Sequence, residues 1–104
     1  MLGRARFRDL VERQLELFES DEAALLAEAR AADTSWTRAS ADESEELYGE
    51  YQLVVDAIGE RLYDLREAYA SSVDEAVADE YRSTFDRAAQ KRFGRLASFL
   101  GEEG

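Results

Sequence analysis

The chain has 104 residues, of which 24 are Asp or Glu and 13 are Lys or Arg, so the formal net charge is -11. His, Cys and Pro are absent. Their absence excludes disulfides, thiolate nucleophiles, imidazole bases and the His or Cys ligand sets of most metal and haem sites. Because hydrophobic residues make up 45% of the chain, we expect one folded helical domain over residues 1–104 rather than a disordered acidic tail.

A first amphipathic helix is predicted over about residues 4–32. Its apolar residues recur at intervals of three and four, as on one buried helix face. They are Phe7, Leu10, Val11, Leu15, Leu17, Phe18, Leu25 and Ala29. Ser20 precedes two acids and could cap a new helix, so a break near this residue stays open. The stripe keeps its phase from Phe18 to Leu25, which favours one helix, straight or bent.

A polar connection is predicted over residues 33–41, where small polar residues dominate. Ser40 and Glu43 have the spacing of a capping box, which indicates that a helix begins there. Trp36 lies in the connection. We expect it either to cover one end of the helical core or to act as an aromatic anchor for a partner protein.

The second helix is predicted over about residues 41–70. Its core stripe alternates three and four residues apart over three heptads, the pattern of a coiled-coil seam. The stripe consists of Tyr48, Tyr51, Val55, Ile58, Leu62, Leu65 and Tyr69. Gly49 and Gly59 lie inside this helix, where each would mark a close approach between helices.

The third helix is predicted over about residues 73–100, because Ser72 and Glu75 repeat the capping-box spacing. Its apolar residues are four apart, so their stripe drifts around the helix by about 40° per step. They are Val73, Val77, Tyr81, Phe85, Ala89 and Phe93. One neighbouring helix cannot cover such a stripe. Either the helix bends near Gly94, or its last third packs against another surface such as a second copy. The candidate partner-binding residues are therefore Trp36, Phe93, Leu96, Phe99 and Leu100.

These segments predict an all-α fold, an elongated up-down-up three-helix bundle with coiled-coil-like packing. In length and helix count alone it resembles a spectrin-type repeat, and beyond the heptads no motif supports that family.

The charge is unevenly distributed along the chain. Residues 41–80 carry -11 and residues 81–100 carry +4. In an antiparallel arrangement, we expect Lys91, Arg92 and Arg95 to lie beside the acidic start of the second helix. The arginines near residue 6 would lie beside the acidic start of the third helix. Internal pairing explains both basic clusters, which would be about 40 Å apart, so we expect no nucleic-acid binding.

Carboxylates are the remaining candidates for catalysis. Two sets resemble the paired magnesium-binding motifs of the all-α nucleotide pyrophosphohydrolases: Glu43, Glu46 and Glu50, and then Glu60, Asp64 and Glu67. The second pair has one residue more between its members than the family's pattern. The seam phase places all six carboxylates away from the core, which favours a solvated charged face.

The leading functional hypothesis is a non-enzymatic helical module for protein interaction or self-association, expected to be a homodimer. One alternative is an acidic module that binds a basic protein partner, and another is a magnesium-dependent nucleotide hydrolase. We expect no cofactor, no metal, no membrane span and a cytoplasmic location. The acidic, Arg-rich and Ala-rich composition is typical of a GC-rich genome or of adaptation to high internal salt, and both remain open.

Overall fold

In a computed structural model of the chain, residues 2–97 and 100 are described, residues 2–5 by their backbone alone. The described residues form four α-helices and no strand, with longest dimensions of 50 × 26 × 22 Å. The helices are α1 (Leu2–Asp21), α2 (Ala23–Thr37), α3 (Ala41–Ala70) and α4 (Glu75–Phe93), followed by a short 3₁₀ helix (Gly94–Ala97). The all-α prediction is confirmed, whereas the predicted count of three helices is not.

The predicted first helix is divided at Glu22, the alternative that the acids after Ser20 had left open. Glu22 has φ -110° and ψ 27°, outside the helical region, and its carboxylate accepts a 2.6 Å hydrogen bond from Arg61 of α3. α1 lies mainly along α4, whereas α2 lies along α3. The buried stripe continues from Phe18 to Leu26, one residue later than the predicted Leu25. Because of this break, the segment before Glu22 packs mainly on α4 and the segment after it packs on α3.

The direction of each helix follows from its contacts. α2 is antiparallel to α3, because Glu22 meets Arg61 while Trp36, at the other end of α2, meets Tyr51.

α1 runs parallel to α4, with two pairs of aromatic rings in edge contact along their length. The ring centroids of Phe7 and Tyr81 are 5.6 Å apart, and those of Phe18 and Phe93 are 5.7 Å apart. Tyr81 lies about a third of the way along α4, and Phe93 is its last residue. Aromatic side chains therefore fill much of the core between the two helices.

The core stripe of α3 agrees with the prediction in its middle and departs from it at both ends. Its buried hydrophobic residues are Tyr51, Val55, Ile58, Leu62 and Ala70. Tyr48 is exposed, and Leu65 and Tyr69 are only half-buried. A straight helix with 3.6 residues per turn drifts about 20° per heptad relative to a repeat of 3.5. The buried stripe therefore passes from Leu62 to residue 66, which is an arginine.

Of the two predicted capping boxes, the one at Ser40 lies at the start of a helix and the one at Ser72 does not. α3 begins directly after Ser40, as predicted, although the Ser40 hydroxyl donates to the Glu43 carboxylate at 3.1 Å. α4 begins at Glu75 after Asp74, two residues later than predicted. The Ser72 hydroxyl instead donates to the carbonyl of Tyr69 at 2.6 Å.

α4 ends at Phe93 because Gly94 takes a left-handed conformation, with φ 58° and ψ -129°. Its N–H donates to the Gln90 carbonyl, and the 3₁₀ helix follows directly. This is the bend near Gly94 that the drifting stripe of the third helix had indicated as one alternative. Gly49, in contrast, marks no close approach, because a Cβ built on it meets no atom within 4 Å.

Alanine substitution should have opposite effects at these two glycines. Gly94→Ala should lower the free energy of unfolding by about 1–3 kcal/mol, because the backbone angles are strained for any residue with a Cβ. Gly49→Ala should raise it by about 0.5–1 kcal/mol, because alanine favours the helix and the site is open. Urea unfolding of both variants measures the difference. A stabilising Gly94→Ala would contradict the described turn.

Candidate interaction surfaces

Three of the five predicted partner-binding residues lie inside the chain's own core. Phe93, Leu96 and Leu100 are 7%, 8% and 1% exposed. The 3₁₀ helix packs on α3, and the ring of Phe93 meets that of Phe18 in α1. Phe99 lies outside the described residues. The turn at the end of α4 thus lets the chain cover its own drifting stripe, and we place no partner surface on these residues.

Trp36 lies in the last turn of α2 rather than in the connection, which is shortened to residues 38–40. Its ring stacks on that of Tyr51, with centroids 5.9 Å apart and planes 11° apart, and it also contacts Tyr48 at 5.0 Å. The guanidinium of Arg95 lies 6.0 Å from the centroid of Tyr51. The half-buried Trp36 therefore packs within the chain at the junction of α2 and α3.

The outer side of α3 carries a row of six exposed acids, which we call the acidic face. Its members are Asp42, Glu46, Glu50, Asp56, Glu60 and Asp64. Among the residues that the structure describes, none of the six takes part in an ion pair. Leu53 lies in the middle of this row and is 71% exposed, the most exposed large hydrophobic residue described. The acidic face is thus a charged surface with a single apolar residue at its centre.

The basic residues near the end of α4 pair with other helices instead. Arg92 reaches Glu12 and Glu19 of α1 at 3.2 and 3.0 Å. Arg95 donates to Asp33 of α2 at 2.7 Å. Among the described residues, neither Arg92 nor Arg95 forms an ion pair with the acids at the start of α3, although Arg95 lies over the ring of Tyr51 in that helix. The predicted pairing of these two arginines with the start of α3 is thus replaced by pairing with α1 and α2.

The arginines near residue 6 were predicted to lie beside the acidic start of the third helix, and this is confirmed for one of them. Arg6 lies 3.5 Å from Glu80, near the acidic start of α4.

A buried arginine is the main feature that sequence reasoning missed. Arg66 is 5% exposed and donates to Glu67 at 2.8 Å and to Asp86 of α4 at 2.7 Å. Its guanidinium also lies 5.1 Å from the ring centroid of Tyr63. The drift of the α3 stripe by one residue after Leu62 was the signal that could have revealed it. Arg66 joins α3 to α4 through charge in a position that an aliphatic residue would otherwise occupy.

Glu67 connects this arginine to a second one. Arg82 of α4 donates two hydrogen bonds to the Glu67 carboxylate, both at 2.9 Å. These bonds lower the pKa of Glu67 below its ordinary value and raise the pKa of Arg82. Since a lowered carboxylate pKa stabilises the fold above the unfolded pKa, this contribution is lost as the pH falls through the acid range. The network is a structural link between α3 and α4.

Tyr81 is fully buried beside this network, and its hydroxyl donates to Gln14 of α1 at 2.7 Å. Burial raises the pKa of Tyr81 from 10.0 to about 12, because the phenolate would lose its hydration. The folded state therefore holds the proton more tightly than the unfolded state does.

Stability should consequently fall at alkaline pH. In the unfolded chain Tyr81 ionises from about pH 10, so the free energy of unfolding should drop by up to about 1.4 kcal/mol per pH unit until about pH 12. Tyr81→Phe should be about 1 kcal/mol less stable at neutral pH, because the bond to Gln14 is lost, yet it should show a shallower alkaline decline. Urea unfolding from pH 9 to 12 compares the two, and parallel declines would contradict the assignment.

The six carboxylates that resemble the hydrolase motifs are not gathered into a site. Five of them are exposed: Glu43, Glu46, Glu50, Glu60 and Asp64. The sixth, Glu67, forms ion pairs with Arg66 and Arg82. Within the described part of the chain, no group of three carboxylates is placed to hold a metal ion. The magnesium-dependent alternative thus has no assembled centre among these residues.

None of the helices in the described ranges combines the length and apolar character that crossing a membrane requires. Comparison of the chain with protein-family models, with curated proteins and with solved structures finds no match.

Proposed function

We propose that the protein is a non-enzymatic helical interaction module whose acidic face binds a basic segment of a partner protein. The observation that carries this proposal is the acidic face itself: six exposed carboxylates for which the described residues supply no ion-pair partner, arranged around the exposed Leu53. Isolated exposed apolar residues are common, but here the apolar residue lies at the centre of a single-sign charged row.

The charge distribution supports a basic partner. α3 carries nine acids and only two arginines, of which Arg61 pairs with Glu22 and Arg66 is buried. A surface of one sign raises the rate of encounter with oppositely charged proteins and disfavours phosphate-bearing partners.

The shape of the surface supports a linear partner. From Asp42 to Asp64 the acidic face follows one side of a straight helix for about 33 Å. A basic helix or extended segment with cations at regular intervals would match this row, with an apolar side chain placed against Leu53.

Binding to a synthetic arginine-rich helical peptide that contains one central leucine tests the proposal. Fluorescence anisotropy should show binding that weakens as salt is added. Neutralising three acids of the face (Glu46→Gln, Glu50→Gln and Glu60→Gln) should weaken binding about tenfold, since each exposed pair contributes a fraction of a kcal/mol. Leu53→Ala should weaken binding about fivefold through the lost apolar contact.

A matched control separates a specific face from net charge. Asp9, Glu16 and Glu28 are exposed acids on α1 and α2 without ion-pair partners among the described residues. Neutralising these three changes the net charge equally and should alter affinity by less than about twofold if binding is local. Equal losses in both triple variants, or no binding at low salt, would overturn the proposal.

A further inference from the structure

A shallow groove lies between α1 and α3 beside the break at Glu22, and none of its lining residues belongs to the acidic face. Its volume is about 310 Å³. It is lined by the apolar residues Leu17, Phe18 and Leu65 and by the polar residues Gln14, Asp21, Glu22 and Arg61. Leu17 was predicted as part of the buried stripe of the first helix, but it is 58% exposed. The groove and this leucine together form a partly apolar surface that the described chain leaves open.

Charges of opposite sign lie on either side of Leu17. Arg13 precedes it by four residues and Asp21 follows it by four, so all three share one face of α1, and each charge is about 6 Å along the axis from the leucine. Both charged side chains are exposed, and the described residues supply neither with an ion-pair partner. The surface is therefore basic on one side of its apolar centre and acidic on the other.

We propose that this surface binds a second copy of the chain, with the two α1 helices antiparallel about a two-fold axis at Leu17. In a two-fold interface the same patch meets itself in reversed direction. Leu17 of each copy then lies in the groove of the other. Arg13 of each copy faces Asp21 of the other, so that both unpaired charges are matched twice.

The charge of the whole chain makes α1 the suitable side for self-association. α1 contains four arginines and five acids, whereas α3 contains two arginines and nine acids. Two copies that met through the acidic face of α3 would bring like charges together, whereas α3 contributes only Arg61 and Leu65 to the groove. This inference is independent of the acidic-face proposal, because the two surfaces share no residue.

Sedimentation equilibrium over a protein concentration series, at physiological salt, tests the interface. The average mass should rise from 11.8 kDa toward twice that value. Arg13→Asp and Asp21→Arg should each weaken association about tenfold, because each variant places two like-charged pairs across the two-fold axis. The double variant should restore wild-type association. General charge repulsion makes a different prediction, since Asp21→Arg lowers the net negative charge and would then strengthen the dimer.

Substitutions of the two exposed leucines supply a matched pair. Leu17→Lys should abolish association, whereas Leu53→Lys on the acidic face should leave it unchanged or strengthen it. Circular dichroism should show unchanged helix content in all variants, because every substituted side chain is exposed. A monomer at every concentration, a dimer that survives Leu17→Lys, or a double variant that fails to restore association would overturn the proposal.

Discussion

Replacing Phe93 with Ala is expected to lower the free energy of unfolding by about 3–5 kcal/mol, the usual cost of truncating a buried aromatic side chain. The ring is 7% exposed and meets Phe18 at the end of α1, so its removal leaves a cavity where α1 and α4 join. Urea or thermal unfolding of the isolated chain at low concentration measures this loss without any contribution from a partner.

Leu53→Ala is the control for this measurement, because Leu53 is exposed and its truncation should change stability by less than about 0.5 kcal/mol. If Phe93→Ala had an equally small effect, Phe93 would be a surface residue. Phe93 and the residues that follow it would then be available to bind a partner.

Replacing Arg66 with Met should lower the free energy of unfolding by about 3 kcal/mol. Removing one member of a buried ion pair typically costs about 3–5 kcal/mol, because the remaining charge stays desolvated. Here the remaining carboxylates, Glu67 and Asp86, are each about a quarter exposed, which places the expected loss at the lower end of that range.

Arg61→Met is the matched control, since Arg61 lies on the same helix and makes a single ion pair at a side chain that is 54% exposed. Its loss should cost at most about 1 kcal/mol. Adding Asp86→Asn to Arg66→Met should recover part of the lost stability, because the charge that had accepted a bond from Arg66 is removed as well. Equal losses at Arg66 and Arg61 would contradict the assignment of Arg66 to the core.

The helices could be predicted from the sequence because the spacing of apolar residues indicates which face of each helix is buried. The middle of α3, from Tyr51 to Leu62, and the beginning of α3 after Ser40 were predicted correctly for this reason. The break at Glu22 was only an open alternative, because apolar residues continue with nearly the same spacing on both sides of it. Its physical support is the bond from Arg61, which comes from 39 residues farther along the chain.

The two candidate surfaces could be predicted only in part. The acidity of the region that contains α3 was evident from the sequence, but which acids remain unpaired depends on where Arg92 and Arg95 go. Those arginines reach α1 and α2, so the start of α3 keeps its charge. The spacing of Leu17 was a missed signal, because at 3.6 residues per turn it lies about 100° around the helix from the buried Phe18. That no other helix covers it also depends on α1 lying along α4 rather than closing over α3.

Mapping of backbone amide shifts by NMR, with the arginine-rich peptide added to the isotope-labelled chain, locates the residues that bind the peptide. The proposal predicts that the largest shifts lie on the outer side of α3 between Asp42 and Asp64, centred on Leu53. Shifts concentrated at Phe93 and Leu96, or spread evenly over all exposed acids, would contradict it.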